Sequence, residues 1–313
     1  MDKPGLLVVG VLPDWDLEAL GRRFTLHLLY EAPDRAAFLA QHGPSVRAIA
    51  TKGELGADAA MMDACPNAKI IACYGVGVDA IDLAAARTRG IAVTNTPDVL
   101  TEEVADMAFA LLLAAARAIP EGDAYVRRGA WARQGPMRLT TRVWGKRMGI
   151  VGLGRIGRAI ARRAEGFGMA IAYSGRTRKD VPYAFHPSPA ALAPEVDILV
   201  VSAAGGAATA GLVDRAAIEA LTPGAIFVNV SRGSVVDEAA LIAALQSGRI
   251  AAAGLDVFRN EPAIDPVFAT FPNVVLSPHQ ASGTVETRKD MGRLMLANLE
   301  AHFDGRPLPT PVP

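Results

Sequence analysis

Three ionisable side chains each follow an apolar run of the chain: Arg232 after AIFVNVS, Glu261 shortly after AAGLDVF and His279 directly after NVVLSP. Their chemistry is complementary. A planar guanidinium grips a carboxylate at two points, an imidazole gives up a proton near neutral pH, and a carboxylate beside the imidazole orients it and raises its pKa. Such a set suits reduction of a 2-oxo acid, which needs a cation for the acid group, a proton for the carbonyl oxygen and a hydride from a cofactor. Singly, each has an ordinary reading: a strand-end arginine as a surface ion-pair partner, a glutamate before proline as a solvated turn, a histidine beside proline as a loop hydrogen-bonder. The joint placement outweighs those readings. In an open parallel sheet, ligands bind outside the carboxyl ends of the strands, where all three residues are expected. His27, His42, His186 and His302 have no comparable setting and are read as structural or exposed.

A hydride source is indicated by Gly152-Leu153-Gly154-Arg155-Ile156-Gly157, which follows KRMGIV and opens the helical stretch RAIARRAEGFG. Its glycines permit a tight turn, close approach of backbone to a pyrophosphate and tight helix packing, while the helix N-terminus supplies N–H donors. Alone the motif is weak, because a glycine turn also serves packing. The next strand usually ends in an acid that holds the ribose hydroxyls. Here that slot falls at Ser174 or Gly175 and is followed by Arg176, Thr177, Arg178 and Lys179. Loss of the carboxylate and gain of cations and hydroxyls suit a 2′-phosphate, so NADP is expected over NAD. The plain alternative is a turn of solvated surface cations.

These residues need a scaffold. At 313 residues the chain fits two domains. The first 95 residues alternate short runs of Val, Ile and Leu with alanine-rich stretches, which predicts an α/β domain of about five parallel strands. A helix is predicted from Thr101, read as its N-cap with Glu102 and Glu103 in the first turn, to Pro120. From Lys146 six further apolar runs predict a doubly wound parallel (Rossmann) sheet. The last stretch, ETRKDMGRLMLANLEAHF, has no strand of its own and needs a surface, so it is expected to return to the first domain. The expected division is therefore a split substrate domain, residues 1–96 and 283–313, around an NADP-binding domain, 97–282, with hinges near Pro97 and Ser282.

Composition narrows the function classes. There are 32 basic and 32 acidic side chains, so no net field draws the protein to nucleic acid or to an acidic membrane surface. The longest apolar run, Met107 to Ala116, is far short of the ~20 residues of a spanning helix. The N-terminus shows no secretory pattern. Two cysteines, Cys65 and Cys73, suggest free thiols in a reducing compartment, not a disulfide or metal framework. A cytoplasmic protein is expected.

Through GLGRIG, VNVSRGSVVDEAAL, AGLDVFRNEP and SPHQASGT, nearly the whole chain resembles the D-isomer-specific 2-hydroxyacid dehydrogenases. Within that family TEEVADMAFALLL, DVPYAFHPS, GTVETRKDM and NLEAHFDG are most similar to glyoxylate and hydroxypyruvate reductases and to hydroxyphenylpyruvate reductases. The resemblance implies a flavodoxin-like substrate domain flanking the cofactor domain, a cleft between them, and a homodimer. It implies that Arg232, Glu261 and His279 are catalytic and that the backbone of Val76 and Gly77 binds the substrate carboxylate with Arg232. It further implies that Thr101 touches the cofactor, that Val230 lies beside the nicotinamide and that Asp256 holds its carboxamide. Two departures stand out. Ala203-Ala-Gly-Gly-Ala-Ala-Thr209 replaces a proline-bearing loop common in the family, leaving Thr209 as a candidate cofactor contact, and Gln280 follows the histidine where a small or apolar residue is common. The expected activity is NADPH-dependent reduction of glyoxylate or hydroxypyruvate to the D-hydroxy acid. Hydroxyphenylpyruvate is the alternative substrate, and a cofactor-sensing, corepressor-like binding protein is the alternative of another class.

Overall fold

The computed structural model describes residues 3–313. They form two compact units, the chain up to Leu100 with Ser282–Pro313, and Thr101–Ala281.

The first unit is built on a five-stranded sheet, order β2-β1-β3-β4-β5, from β1 (Gly5–Val8), β2 (Thr25–Leu28), β3 (Val46–Lys52), β4 (Ile70–Tyr74) and β5 (Ala92–Thr94). Every pairing is parallel, and the order is that of flavodoxin-like sheets. GLLV and IIACY are buried throughout because both faces of the sheet are covered. The helix Val285–Phe303 starts with the Thr284 hydroxyl accepting the Thr287 N–H at 3.1 Å. It packs on β4 and on the helix Asp14–Arg23. The contact is close: a methyl on Gly292 would lie 1.8 Å from Asp16 Oδ1. The Tyr74 hydroxyl donates to the Arg288 carbonyl at 2.7 Å, tying the end of β4 to this helix. Beyond it the proline-rich tail runs back along β5, with Pro311 opposite Thr94 in an antiparallel bridge.

The second unit carries a seven-stranded parallel sheet, order β12-β11-β10-β9-β6-β7-β8. Its strands are β6 (Arg147–Val151), β7 (Ala170–Ser174), β8 (Ala184–His186), β9 (Ile198–Val201), β10 (Ala225–Asn229), β11 (Ile250–Leu255) and β12 (Val274–Leu276). Counted from β6 this is the doubly wound order 3-2-1-4-5-6 with one strand added, and the reversal falls between β6 and β9. Six strands were expected. The seventh, β8, has three residues at the sheet edge, none fully buried, and so short a run leaves no readable periodicity.

The helix expected to run from Thr101 to Pro120 ends at Ala116. Ala118 takes a left-handed conformation, φ 49°, and a second helix, Ile119–Arg127, begins with Pro120 in its first turn. There proline's fixed φ and missing N–H do no harm. Thr101 is the first helical residue, not a cap before it. A turn with Asp98 at φ 68° and the Val99 N–H on the Pro97 carbonyl (2.9 Å) sets that start. The helix Thr101–Ala116 packs on β10, β11 and the helix Arg155–Gly166. Its exposed side joins the latter through Arg163, which pairs with Glu102 at 2.8 Å and Asp106 at 2.6 Å.

Candidate active site

At the carboxyl end of β6 the three glycines of GLGRIG divide their work. Gly152 has φ +94°, and a Cβ on it would lie 2.6 Å from Ala203 Cα. A Cβ on Gly157 would lie 2.3 Å from the Gly152 carbonyl oxygen. These two close the turn against its neighbours. A Cβ on Gly154 would meet nothing within 4 Å, so its backbone borders open space. Leu153 is buried, Ile156 half-buried and Arg155 exposed. No side chain caps the N-terminus of the helix Arg155–Gly166, which keeps its first N–H groups for an anion.

Ser174 ends β7 opposite Val151 of β6. It is 1% exposed, and its Oγ has no hydrogen-bond partner. A buried hydroxyl left so costs about 1–3 kcal/mol. Arg176, Thr177, Arg178 and Lys179 follow, all exposed, and among the described residues no ion pair or hydrogen bond engages their side chains. The turn is folded back by the buried Tyr173, whose hydroxyl accepts the Lys179 N–H at 2.6 Å. An orphaned hydroxyl, open backbone at Gly154 and unspent cations fit a phosphorylated dinucleotide. Thr209, the candidate cofactor contact in the loop after β9, is bonded within that loop. Its hydroxyl donates to Ala204 O at 2.6 Å, so it closes its own loop and retains only acceptor capacity toward a ligand.

The three ionisable residues come together at the ends of β10, β11 and β12. After β10 the buried Asn229 accepts the Ser231 N–H (3.0 Å) and donates to the Arg232 carbonyl (3.2 Å), and Ser231 Oγ donates to Ala203 O. Val230, 7% exposed, sits inside this turn. Arg232 Nη1 donates to the Ser231 carbonyl at 2.8 Å. Gly233 lies against the next loop so closely that a Cβ would fall 1.9 Å from the Phe258 carbonyl carbon. In that loop Glu261 Oε1 accepts the Phe258 N–H (2.7 Å), and Glu238 accepts the Arg259 N–H (2.6 Å). After β12, His279 holds φ 51°, uncommon for a non-glycine residue. Its N–H donates to the Asp256 carbonyl at 2.8 Å. The Asp256 carboxylate, 1% exposed, accepts Ser277 Oγ (2.5 Å) and the N–H groups of Gln280 (2.8 Å) and Ala281 (3.0 Å).

His279 Nδ1 and Glu261 Oε2 are 2.7 Å apart. The bond to Glu261 raises the His279 pKa above its ordinary value, against burial and the Arg232 charge, which lower it. Burial pushes Glu261 up, but the bonds from His279 and the Phe258 N–H, with the charges of His279 and Arg232, bring it below the usual carboxylate value. Both shifts favour the charged forms, imidazolium and carboxylate, with Nε2 left over, in the field of an arginine.

Sequence reasoning named Arg232, Glu261, His279 and Asp256 but missed the supports: Asn229, Gly233, Glu238 and the binding of the histidine turn by Asp256. A polar Asn at the end of AIFVN and a glycine straight after the arginine were the available signals.

Val76 and Gly77 lie in the first unit, just past β4. Each carbonyl of this loop is pinned: Gly75 O by the Thr96 N–H (2.9 Å), Val76 O by Asn95 Nδ2 (2.9 Å) and Gly77 O by Cys73 Sγ (3.3 Å). A trans peptide points its N–H opposite to its C=O. The N–H groups of Val76, Gly77 and Val78 are thereby aimed away from those anchors, and among the described residues none donates to a carbonyl. Consecutive unspent N–H groups make a seat for an anion.

A sequence profile of the D-isomer specific 2-hydroxyacid dehydrogenase NAD binding domain matches residues 109–281, and this chain belongs to that family. It is 45% identical over 313 residues to the hydroxyphenylpyruvate reductase of Plectranthus scutellarioides, covering 100% of both chains. It is 53% identical to the crystallised 2-hydroxyacid dehydrogenase of Ketogulonicigenium vulgare Y25, with a TM-score of 0.92 and 100% and 99% of the chains covered. To the NADPH-dependent glyoxylate/hydroxypyruvate reductase of Sinorhizobium meliloti, solved with NADP and malonate, it is 43% identical, with a TM-score of 0.91 and coverage of 99% and 97%. Among the described residues no helix is long and apolar enough to cross a membrane.

Proposed function

We propose that the protein is an NADPH-dependent reductase of short 2-oxo acids, glyoxylate and hydroxypyruvate, giving D-2-hydroxy acids. The observation that carries this reading is the His279–Glu261 pair at 2.7 Å in the field of Arg232, in a member of a dehydrogenase family. Arg232 takes the substrate carboxylate, assisted by the backbone of Val76 and Gly77. His279 delivers a proton from Nε2 to the carbonyl oxygen as charge develops there, and Glu261 stabilises the imidazolium beforehand and fixes its ring. NADPH, when bound, supplies the hydride to C2.

In this reading residues 97–282 bind the cofactor, and residues 1–96 with 283–313 bind the substrate. The Gly152–Gly157 loop receives the pyrophosphate; Ser174, Arg176, Thr177 and Arg178 receive the 2′-phosphate; Thr101 and Thr209 touch the cofactor, Val230 lies beside the nicotinamide and Asp256 holds its carboxamide. Asp256 Oδ1 already accepts two bonds and Oδ2 one, so Asp256 offers the carboxamide one remaining acceptor site. A homodimer is part of the proposal; the large apolar side chains of Ile119, Val126, Trp131, Leu139 and Trp144 are each exposed and are the residues a partner would cover. A cytoplasmic setting agrees with two buried free cysteines.

The test is a steady-state panel of glyoxylate, hydroxypyruvate and hydroxyphenylpyruvate against NADPH and NADH. Turnover of the two short acids with NADPH is expected, and Arg176→Ala should reduce the NADPH preference about tenfold. Efficient turnover of hydroxyphenylpyruvate alone enlarges the substrate. Tight cofactor binding with negligible turnover of all three acids points to the binding-protein class.

A further inference from the structure

Of the three anchors on the candidate carboxylate loop, the one on Val76 is unlike the others. Cys73 stands at the end of the strand before the loop, and Thr96 follows Asn95 past β5; Asn95 alone of the three is shown held from the far end of the sequence. The Asn95 N–H donates to Thr310 O at 3.3 Å, and the Thr310 hydroxyl donates to the Asn95 carbonyl at 2.6 Å. Thr310 is fixed in turn by Asn298, which is fully buried. Asn298 Oδ1 accepts the Thr310 N–H at 3.0 Å, and its Nδ2 donates to Thr310 Oγ1 at 2.8 Å and to Leu294 O at 2.9 Å. Two residues further, the Val312 N–H donates to Val93 O at 2.8 Å. A continuous series of hydrogen bonds thus runs from the last helix through the tail and Asn95 to the Val76 carbonyl.

That carbonyl belongs to the same planar peptide as the Gly77 N–H, so a partner on one side fixes the direction of the other. Asn95 is half-buried and carries its amide on a side chain with two rotatable bonds. Without Thr310 on its main chain, it could turn its amide elsewhere and release the peptide.

We infer that Asn95 and Thr310 are positioning residues for substrate: the tail strap holds the Val76–Gly77 peptide so that the Gly77 N–H is presented to the oxo acid's carboxylate. This rests on the reading of Val76 and Gly77 as the carboxylate seat. Neither residue touches the reacting atoms, so their removal weakens substrate binding and leaves proton and hydride delivery intact.

The experiment uses the full-length enzyme with saturating NADPH. Asn95→Ala should raise KM for glyoxylate about tenfold, the worth of one charge-assisted hydrogen bond, with kcat and the KM for NADPH within about twofold of the parent. Thr310→Val, which removes the hydroxyl and keeps the shape, should raise KM about threefold, and Thr310→Ser should restore it. Affinity of the enzyme–NADPH complex for oxamate, an unreactive carboxylate probe, should fall in parallel with KM. Gly77→Pro separates the two levels, since it deletes the N–H itself. If folded Gly77→Pro keeps a parental KM and oxamate affinity, the carboxylate seat is wrong and the inference goes with it. If Gly77→Pro loses oxamate while Asn95→Ala and Thr310→Val bind it normally, the seat stands and the strap is refuted. A loss of kcat and cofactor affinity equal to the loss of substrate affinity would also refute it, because that is the pattern of general destabilisation. Should Gly77→Pro fail to fold, oxamate affinity across Asn95→Ala, Thr310→Val and Thr310→Ser still decides the strap.

Discussion

Glu261→Gln keeps the shape of the residue beside His279 and removes its charge. In the parent the folded pKa of His279 is raised, chiefly by Glu261. In the proposed mechanism reduction needs the imidazolium, so kcat/KM for the oxo acid should hold at low pH and fall as pH rises through a value above the ordinary histidine pKa. In the oxidative direction neutral imidazole is the base, and the profile should mirror this. In Glu261→Gln the reductive limb should move to lower pH, with a loss at pH 7 of about tenfold or more; a profile that stays in place would remove Glu261 from the pair. Arg232, Glu261 and His279 were legible in the sequence because each stands at the end of an apolar run and the types are chemically complementary. The supports were not. Asn229 and Asp256 act through side-chain bonds to backbone groups, some more than twenty residues away, and such bonds leave no spacing to read.

The glycines make the corresponding case for elements. Gly233→Ala would drive a methyl into the Phe258–Arg259 backbone, where no flexible side chain can yield. It should cost about 2–3 kcal/mol, seen as a lower Tm, and should displace the Glu261 loop. Gly154→Ala meets open space within the protein. Its Tm without cofactor should be nearly unchanged, while its Kd for NADPH rises about tenfold as the methyl crowds the pyrophosphate approach; the opposite pattern would reverse the division of roles given to these glycines. The elements themselves were largely readable, since continuous Val, Ile and Leu runs between alanine-rich stretches mark buried parallel strands. Three-residue β8 was lost because it is too short to show a period. The helix end at Ala116 was misplaced because Pro120 was read as a terminator, whereas it stands in the first turn of the next helix.

At the scale of the molecule, the formal net charge is +0 at pH 7, so no long-range repulsion keeps copies apart, and an open strand edge would be a liability. β5 is such an edge, and the tail covers it. The Thr310 carbonyl and the Val312 N–H bond Asn95 and Val93 along β5, the Thr310 N–H is taken by Asn298, and Pro311 between them has no N–H to offer outward. Another proline follows or precedes at each alternate position, Pro309 and Pro313. The sheet therefore stops at a strand on which a further strand finds no ladder of donors. Deleting residues 310–313 should expose β5 and produce concentration-dependent, higher-order association near neutral pH, measured by light scattering, that is relieved away from the isoelectric point. A tail that positions the substrate loop would then also be what keeps one molecule's sheet from continuing into the next.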